Sequence, residues 1–241
     1  MEWLLQLAPN CKPTERTMCK PSDSSVNAER RDGSAPTPEQ IPRDAISQAM
    51  FRYAAEHLAP AILNHSIRVF FFAKAIGDQE DSEWCTPDRL HLLFTACILH
   101  DVGTIELHNG PLRFEVEGAD AAFALLRQHQ VSEADTHDVW VALAVHTSPQ
   151  IAERIAPLAR LVRLGVTVDF SYPKSMAYTT DATVNDLETH FPRLDIEKVL
   201  GDAVADQAVK RPEKAPAASW PENLYRSKME NPDWAGVNKR F

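Results

Sequence analysis

Four ionisable residues stand where a helical chain should have apolar ones. His65, Val69, Phe72 and Ile76 recur at three- and four-residue spacing, so they share one face of a helix. Leu90, Leu93, Phe94, Cys97 and Ile98 form a second such stripe, which runs into His100-Asp101 and stops near Gly103. Val162, Gly165 and Asp169 line up on a third. Successive helical residues point about 100° apart. A His-Asp pair can therefore share one target only at a helix end, where Asp101 can bend back. These spacings bring two imidazoles and two carboxylates toward one interior point. Buried carboxylates are costly, and more so side by side. A divalent cation resolves both costs, and a two-His, two-carboxylate donor set suits Zn²⁺ or Fe²⁺, with Mn²⁺ a poorer match. Such an ion would activate water toward a polar or unsaturated C–N or C–O centre.

Each residue also has a plainer reading. A lone histidine on an apolar stripe is usually a hydrogen-bonded core residue, and Asp101 alone could be a satisfied loop residue. The joint pattern is what points to a metal.

The rest of the chain reads as helix. Periodic segments cover 44–57, 60–77, 86–103, 115–128, 133–147, 157–169, 183–190 and 196–208, and no strand-like alternation of useful length interrupts them. Ser132 with Asp135 has the form of a capping box, and Ser148-Pro149 breaks the helix before it. The class is all-α, one domain at 41–209. Residues 1–40, rich in Pro, Ser and charge, read as a disordered or loosely attached arm, and 210–241 as an extended tail packed on the core.

Composition narrows the function. A formal charge of −9 with no Lys/Arg run excludes a duplex-phosphate footprint. No stretch approaches the roughly 20 apolar residues that span a bilayer, and the first residues lack a signal peptide's positive region. Cys11, Cys19, Cys85 and Cys97 form no C-x-x-C pair, which points to the cytoplasm. A small-molecule substrate is expected, with no nucleic acid and no membrane. A homodimer is the default from the prevalence of two-fold assemblies.

Around the four residues, His146 is the candidate for proton transfer, since free imidazole titrates near roughly pH 6.5. It could equally cap its own helix at the negative pole of the dipole. Thr104 is taken as hydrogen-bonding substrate or water rather than only tying its loop, and Asp101 as orienting water while binding metal. Glu115 and Glu117 could orient ligand histidines, or one of them could cap its helix. Arg68 is read as pairing with a carboxylate.

The words Asn64-His65-Ser66-Ile67-Arg68-Val69-Phe70, Ile98-Leu99-His100-Asp101-Val102-Gly103-Thr104, Arg113-Phe114-Glu115, Ala144-Val145-His146-Thr147, Val168-Asp169-Phe170 and Phe191-Pro192-Arg193 resemble the HD-domain superfamily of metalloenzymes. Within it they are similar to the fungal cyanamide hydratase-like group. The resemblance implies an all-helical HD bundle, with His65, His100, Asp101 and Asp169 holding one ion, Zn²⁺ in the hydratases, where water adds to the nitrile carbon of cyanamide to give urea. Thr104 stands where many HD phosphohydrolases have lysine. A phosphohydrolase of a nucleotide or phosphoester is the alternative, and a non-catalytic, metal-stabilised ligand-binding module the second. The tail after Arg193 departs from the hydratases and leaves the substrate open.

Overall fold

In the segment 90–99 nearly every side chain is apolar, and a helix with no polar face has to lie at the centre of its domain. The computed structural model, which describes residues 41–171, 178–231 and 233–237, places it there. The described residues form ten helices and no strand. In order they are α1 (Ala45–His57), α2 (Pro60–Gln79), α3 (Leu90–Leu99), α4 (Phe114–Gln128), α5 (Glu133–Val145), α6 (Ala152–Ile155), α7 (Pro157–Ser171), α8 (Asp181–His190), α9 (Ile196–Lys210) and α10 (Trp220–Glu230). From Leu92 to Leu99 all of α3 is buried. It packs against α1, α2, α5 and α7, and Phe94 meets Phe70 of α2 edge-on at 4.9 Å. The end of α3 therefore opens into the interior, which is what delivers His100-Asp101 there.

α2 and α7 lie side by side, and Gly165 sets how closely. A Cβ at that position would stand 2.7 Å from the Val69 carbonyl oxygen and 3.2 Å from the Ala73 Cβ. Gly103 has a similar role below the site, where a Cβ would meet the Phe114 carbonyl at 1.9 Å.

Local signals set most helix ends. Asp44 caps α1 by accepting the Ser47 amide, Ser132 caps α5 by accepting that of Asp135, and Pro60 opens α2. Three differences from the sequence reading have physical causes. Gly77 does not end α2, which runs on to Gln79; its missing side chain makes room for the Cys85 sulfur, 2.4 Å from where a Cβ would sit. Residues 86–89 form a separate turn, and α3 starts at Leu90. The tail expected to be extended contains α10, which Ser219 caps by accepting the Glu222 amide, with Pro221 in its first turn and Leu224 buried. The tail does pack back on the body, against α9, where the Val237 amide donates to the Glu197 carbonyl at 2.7 Å. The 1–40 arm lies outside the described residues.

Gly165→Val should lower stability by about 1–3 kcal/mol through overpacking of the α2–α7 seam, against a helix-propensity gain of only about a few tenths. A shift of the urea midpoint with unchanged slope would show it.

Candidate metal centre

α2, the end of α3, the end of α5 and α7 each send one or two polar groups into one enclosed region. His65, His100, Asp101, His146 and Asp169 are all at most 4% exposed. α3 ends at Leu99. His100 is its C-cap, and Asp101 (φ −103°, ψ 10°) has left helical geometry before the short turn Val102–Thr104. That break swings the adjacent side chains together, with His100 Nε2 3.2 Å from Asp101 Oδ2.

Hydrogen bonds fix the state of each ring. His100 Nδ1 stands 2.7 Å from the Cys97 carbonyl, and His146 Nδ1 2.7 Å from the Leu143 carbonyl. A carbonyl can only accept, so both Nδ1 atoms carry the proton. His65 Nδ1 lies 2.6 Å from Asp169 Oδ2, and that carboxylate, ionised by its arginine partner, also accepts. In the neutral rings all three Nε2 atoms are therefore bare lone pairs. Those of His65 and His100 face each other and Asp101, and that of His146 faces Asp101. His65 Nε2 is 3.1 Å from His100 Nε2 and 3.7 Å from Asp101 Oδ2, and His146 Nε2 is 3.5 Å from Asp101 Oδ1. Asp101 Oδ2 is buried without a hydrogen-bond partner.

A buried carboxylate oxygen and three ring lone pairs with no donor among them are unfavourable until a positive charge enters. The proton affinities carry the same message. Burial opposes charge on His100, yet Asp101 beside it raises its pKa above the ordinary value. Burial would raise Asp101, but His100, His146 and His65 hold it well below the usual carboxylate range. Burial lowers His65. His65, His100 and Asp101 each offer a ligand atom within 4.8 Å of the others, and a nitrogen–carboxylate donor set of this kind fits a divalent metal.

Asp169 is placed differently from the three. It sits on the Nδ1 side of His65, and Arg68, fully buried, forks onto it with Nε at 2.7 Å from Oδ1 and Nη2 at 2.8 Å from Oδ2. Burial would raise this carboxyl, but Arg68 and His65 hold it far below the ordinary range. Of roughly four acceptor positions on a carboxylate, these bonds use three. Asp169 thus holds His65 in orientation, as a carboxylate behind a metal-binding imidazole does, and keeps one lone pair. Arg68 pairs with a carboxylate as its sequence setting suggested, and its Nη1 donates to the Phe191 carbonyl at 2.8 Å.

The other candidates separate. His146 faces Asp101 with Nε2 and is the C-cap of α5. The Thr104 hydroxyl donates to the Asp101 carbonyl at 2.7 Å, so its proton ties the loop and its oxygen is left as an acceptor. Neither Glu115 nor Glu117 bonds to a ligand histidine or caps α4. Fully buried Glu115 accepts from Arg113 and from Thr147 Oγ1 (2.6 Å), and Glu117 accepts the Leu112 amide. The sequence reading missed the means that fasten the loop after the His-Asp pair. Gln207 Nε2 donates to the Gly103 carbonyl, Arg211 to that of Asn109, Lys214 to those of Gly110 and Leu112, and Tyr53 Oη pairs with His108. The burial of Lys214, 2% exposed, is visible only in the fold.

With this geometry in hand, the comparisons assign a class. The HD-domain family model matches residues 62–165, a span that holds His65, His100, Asp101 and His146. This span of the chain is an HD domain. Two Saccharomyces cerevisiae proteins, cyanamide hydratase DDI2 and cyanamide hydratase DDI3, are each 25% identical to it over 188 residues, covering 74% of this chain and 80% of the relative. Within its class the chain is similar to the cyanamide hydratases.

Replacing Arg68 by Met would leave Asp169 buried without its forked counter-charge, with only His65 and the more distant Arg193 beside it, at a cost of about 3–5 kcal/mol. Because the folded carboxyl of Asp169 is depressed, its pairing stabilises the fold fully above the ordinary carboxylate value near roughly 3.9 and is lost as pH falls below it. Stability of the parent protein should fall with pH across that range, and Arg68→Met should flatten the fall; denaturant melts at a series of pH values would read both.

Proposed function

We propose that this chain is a single-metal hydratase that adds water across the C≡N bond of cyanamide or another small nitrile. The reading is carried by one observation, the convergence of the proton-free nitrogens of His65 and His100 on the orphan oxygen of Asp101, with that of His146 against its other oxygen. Similarity to two cyanamide hydratases supports the substrate. The proposed ligand set is His65, His100 and Asp101, with Asp169 supplying its remaining lone pair or acting through His65. Zn²⁺ is the first choice, and Fe²⁺ or Mn²⁺ the alternatives. Such an ion lowers the pKa of its water toward about 7 and polarises the substrate.

The chain supplies the proton path. His146 Nε2, with Nδ1 held on Leu143, takes the proton from water, and the charge that appears on the ring faces Asp101 Oδ1 at 3.5 Å. The water oxygen bonds to the nitrile carbon, one C–N π bond breaks, and the nitrogen takes the proton back from His146. For cyanamide the product rearranges to urea. The enclosure of all five residues suits a substrate of very few atoms. Arg68 turns its donors to Asp169 and the Phe191 carbonyl, away from any phosphate. This supports an uncharged nitrile over a phosphoester.

The proposed setting is a cytoplasmic enzyme of a small molecule, working without nucleic acid or membrane, as a homodimer. Cys85 and Cys97 are free thiols, and among the described residues no helix is long and apolar enough to cross a membrane.

Elemental analysis of the purified protein should give one divalent ion per chain. His100→Ala and Asp101→Asn should lose it, and retention in both would sink the assignment. Asp169→Asn should weaken metal binding by about 10–100-fold if the residue acts through His65, and more if it ligates. The loaded protein should convert cyanamide to urea; His146→Gln should keep the metal and lower kcat by about 10²–10⁴. One ion per chain with no turnover of cyanamide or any nitrile would retain the centre and discard the substrate.

A further inference from the structure

Beside the metal centre, and outside it, lies a cavity of about 670 Å³ between the end of α5, α7 and the tail helix α10. That volume is within the range of small-molecule sites and far above what cyanamide needs. Its wall holds three guanidinium groups, from Arg113, Arg163 and Arg226, the hydroxyls of Thr147, Ser148, Ser219 and Ser227, and the Asn223 amide. No acidic side chain is among its described lining residues. In a protein of formal charge −9 the described lining is thus free of negative side chains. The arginines do have carboxylate partners, Glu115, Glu153 and Glu222, but none of the three lines the cavity. Trp220 and Leu224 supply an apolar wall beside the polar groups.

The cavity adjoins the centre through His146. Arg163 Nη1 donates to the His146 carbonyl at 3.3 Å, and Arg113 Nη2 donates to Thr147 Oγ1 at 3.2 Å. We infer that this cavity is a binding site for a small organic anion, a carboxylate or phosphate carried on a planar apolar body that lies against Trp220. Guanidinium groups and hydroxyls recognise the oxygens of such a group, and the indole and Leu224 take its body. α10 lies beyond the matched span 62–165, so the site is built jointly, with Arg113, Thr147, Ser148 and Arg163 from that span and the apolar wall from the tail. The inference does not depend on the hydratase reading.

Calorimetric titration of the full chain at fixed ionic strength with benzoate, phenyl phosphate and neutral benzamide tests it. One or both anions should bind saturably at one per chain and benzamide should not; the tighter anion identifies the group. Asn223 and Ser227 are exposed, so Asn223→Asp and, separately, Ser227→Asp place a negative charge in the cavity without disturbing the core. Each should weaken anion binding by about tenfold or more, with circular dichroism unchanged. An anion held on the metal instead would be insensitive to both. Absence of saturable binding by either anion, equal binding of benzamide, or unchanged affinity in both variants would overturn the inference.

Discussion

A fully buried guanidinium forked onto a carboxylate of another helix holds the centre of this protein together. Arg68 on α2 meets Asp169 on α7 with two parallel hydrogen bonds and reaches the Phe191 carbonyl with its third nitrogen. Asn64 donates to the Pro192 carbonyl and Arg193 to that of Asp169, so the segment after α8 closes on the same point. A buried ion pair of this kind is weak evidence of net stability, because desolvation offsets most of its attraction. Its consequence here is directional. Asp169, oriented and kept ionised by Arg68, fixes the tautomer of His65, and that leaves the His65 Nε2 lone pair facing His100 and Asp101.

The same device recurs at each histidine. An acceptor behind the ring takes the Nδ1 proton: a carboxylate for His65, and a carbonyl three residues back for His100 and His146. Three independent local constraints thus give three bare nitrogens, and the break at the end of α3 gives the orphan carboxylate. The charge balance follows. Arg68 offsets Asp169, and Asp101 is left as a buried negative charge that raises the proton affinity of His100 beside it. That is an arrangement a cation satisfies and a neutral core does not.

Around this rigid centre the C-terminal part of the chain does two jobs. α9 and the turn after it hold the loop following His100-Asp101 by its carbonyls through Gln207, Arg211 and Lys214. α10 walls the arginine-bearing cavity beside His146. The HD core carries the metal-type cluster, and the tail shapes what lies next to it.

Periodicity alone determined that the chain is helical. It also placed His65, His100, Asp101, Asp169 and His146 on interior faces, because a polar residue in register with an apolar stripe is buried with that stripe. Capping at Asp44, Ser132 and Pro60 was legible for the same local reason. The role of Gly77 was not, since it depends on how the turn carrying Cys85 packs back on α2; α10 did carry a local signal, the Ser219 cap ahead of Pro221 and Glu222, masked by the prolines around it. Tertiary structure alone decided that Asp169 stands behind His65 while Asp101 stands in front of it. Both are acidic residues on inward faces, and only the packing of α2 against α7, set at Gly165, determines which side of the imidazole each carboxylate meets.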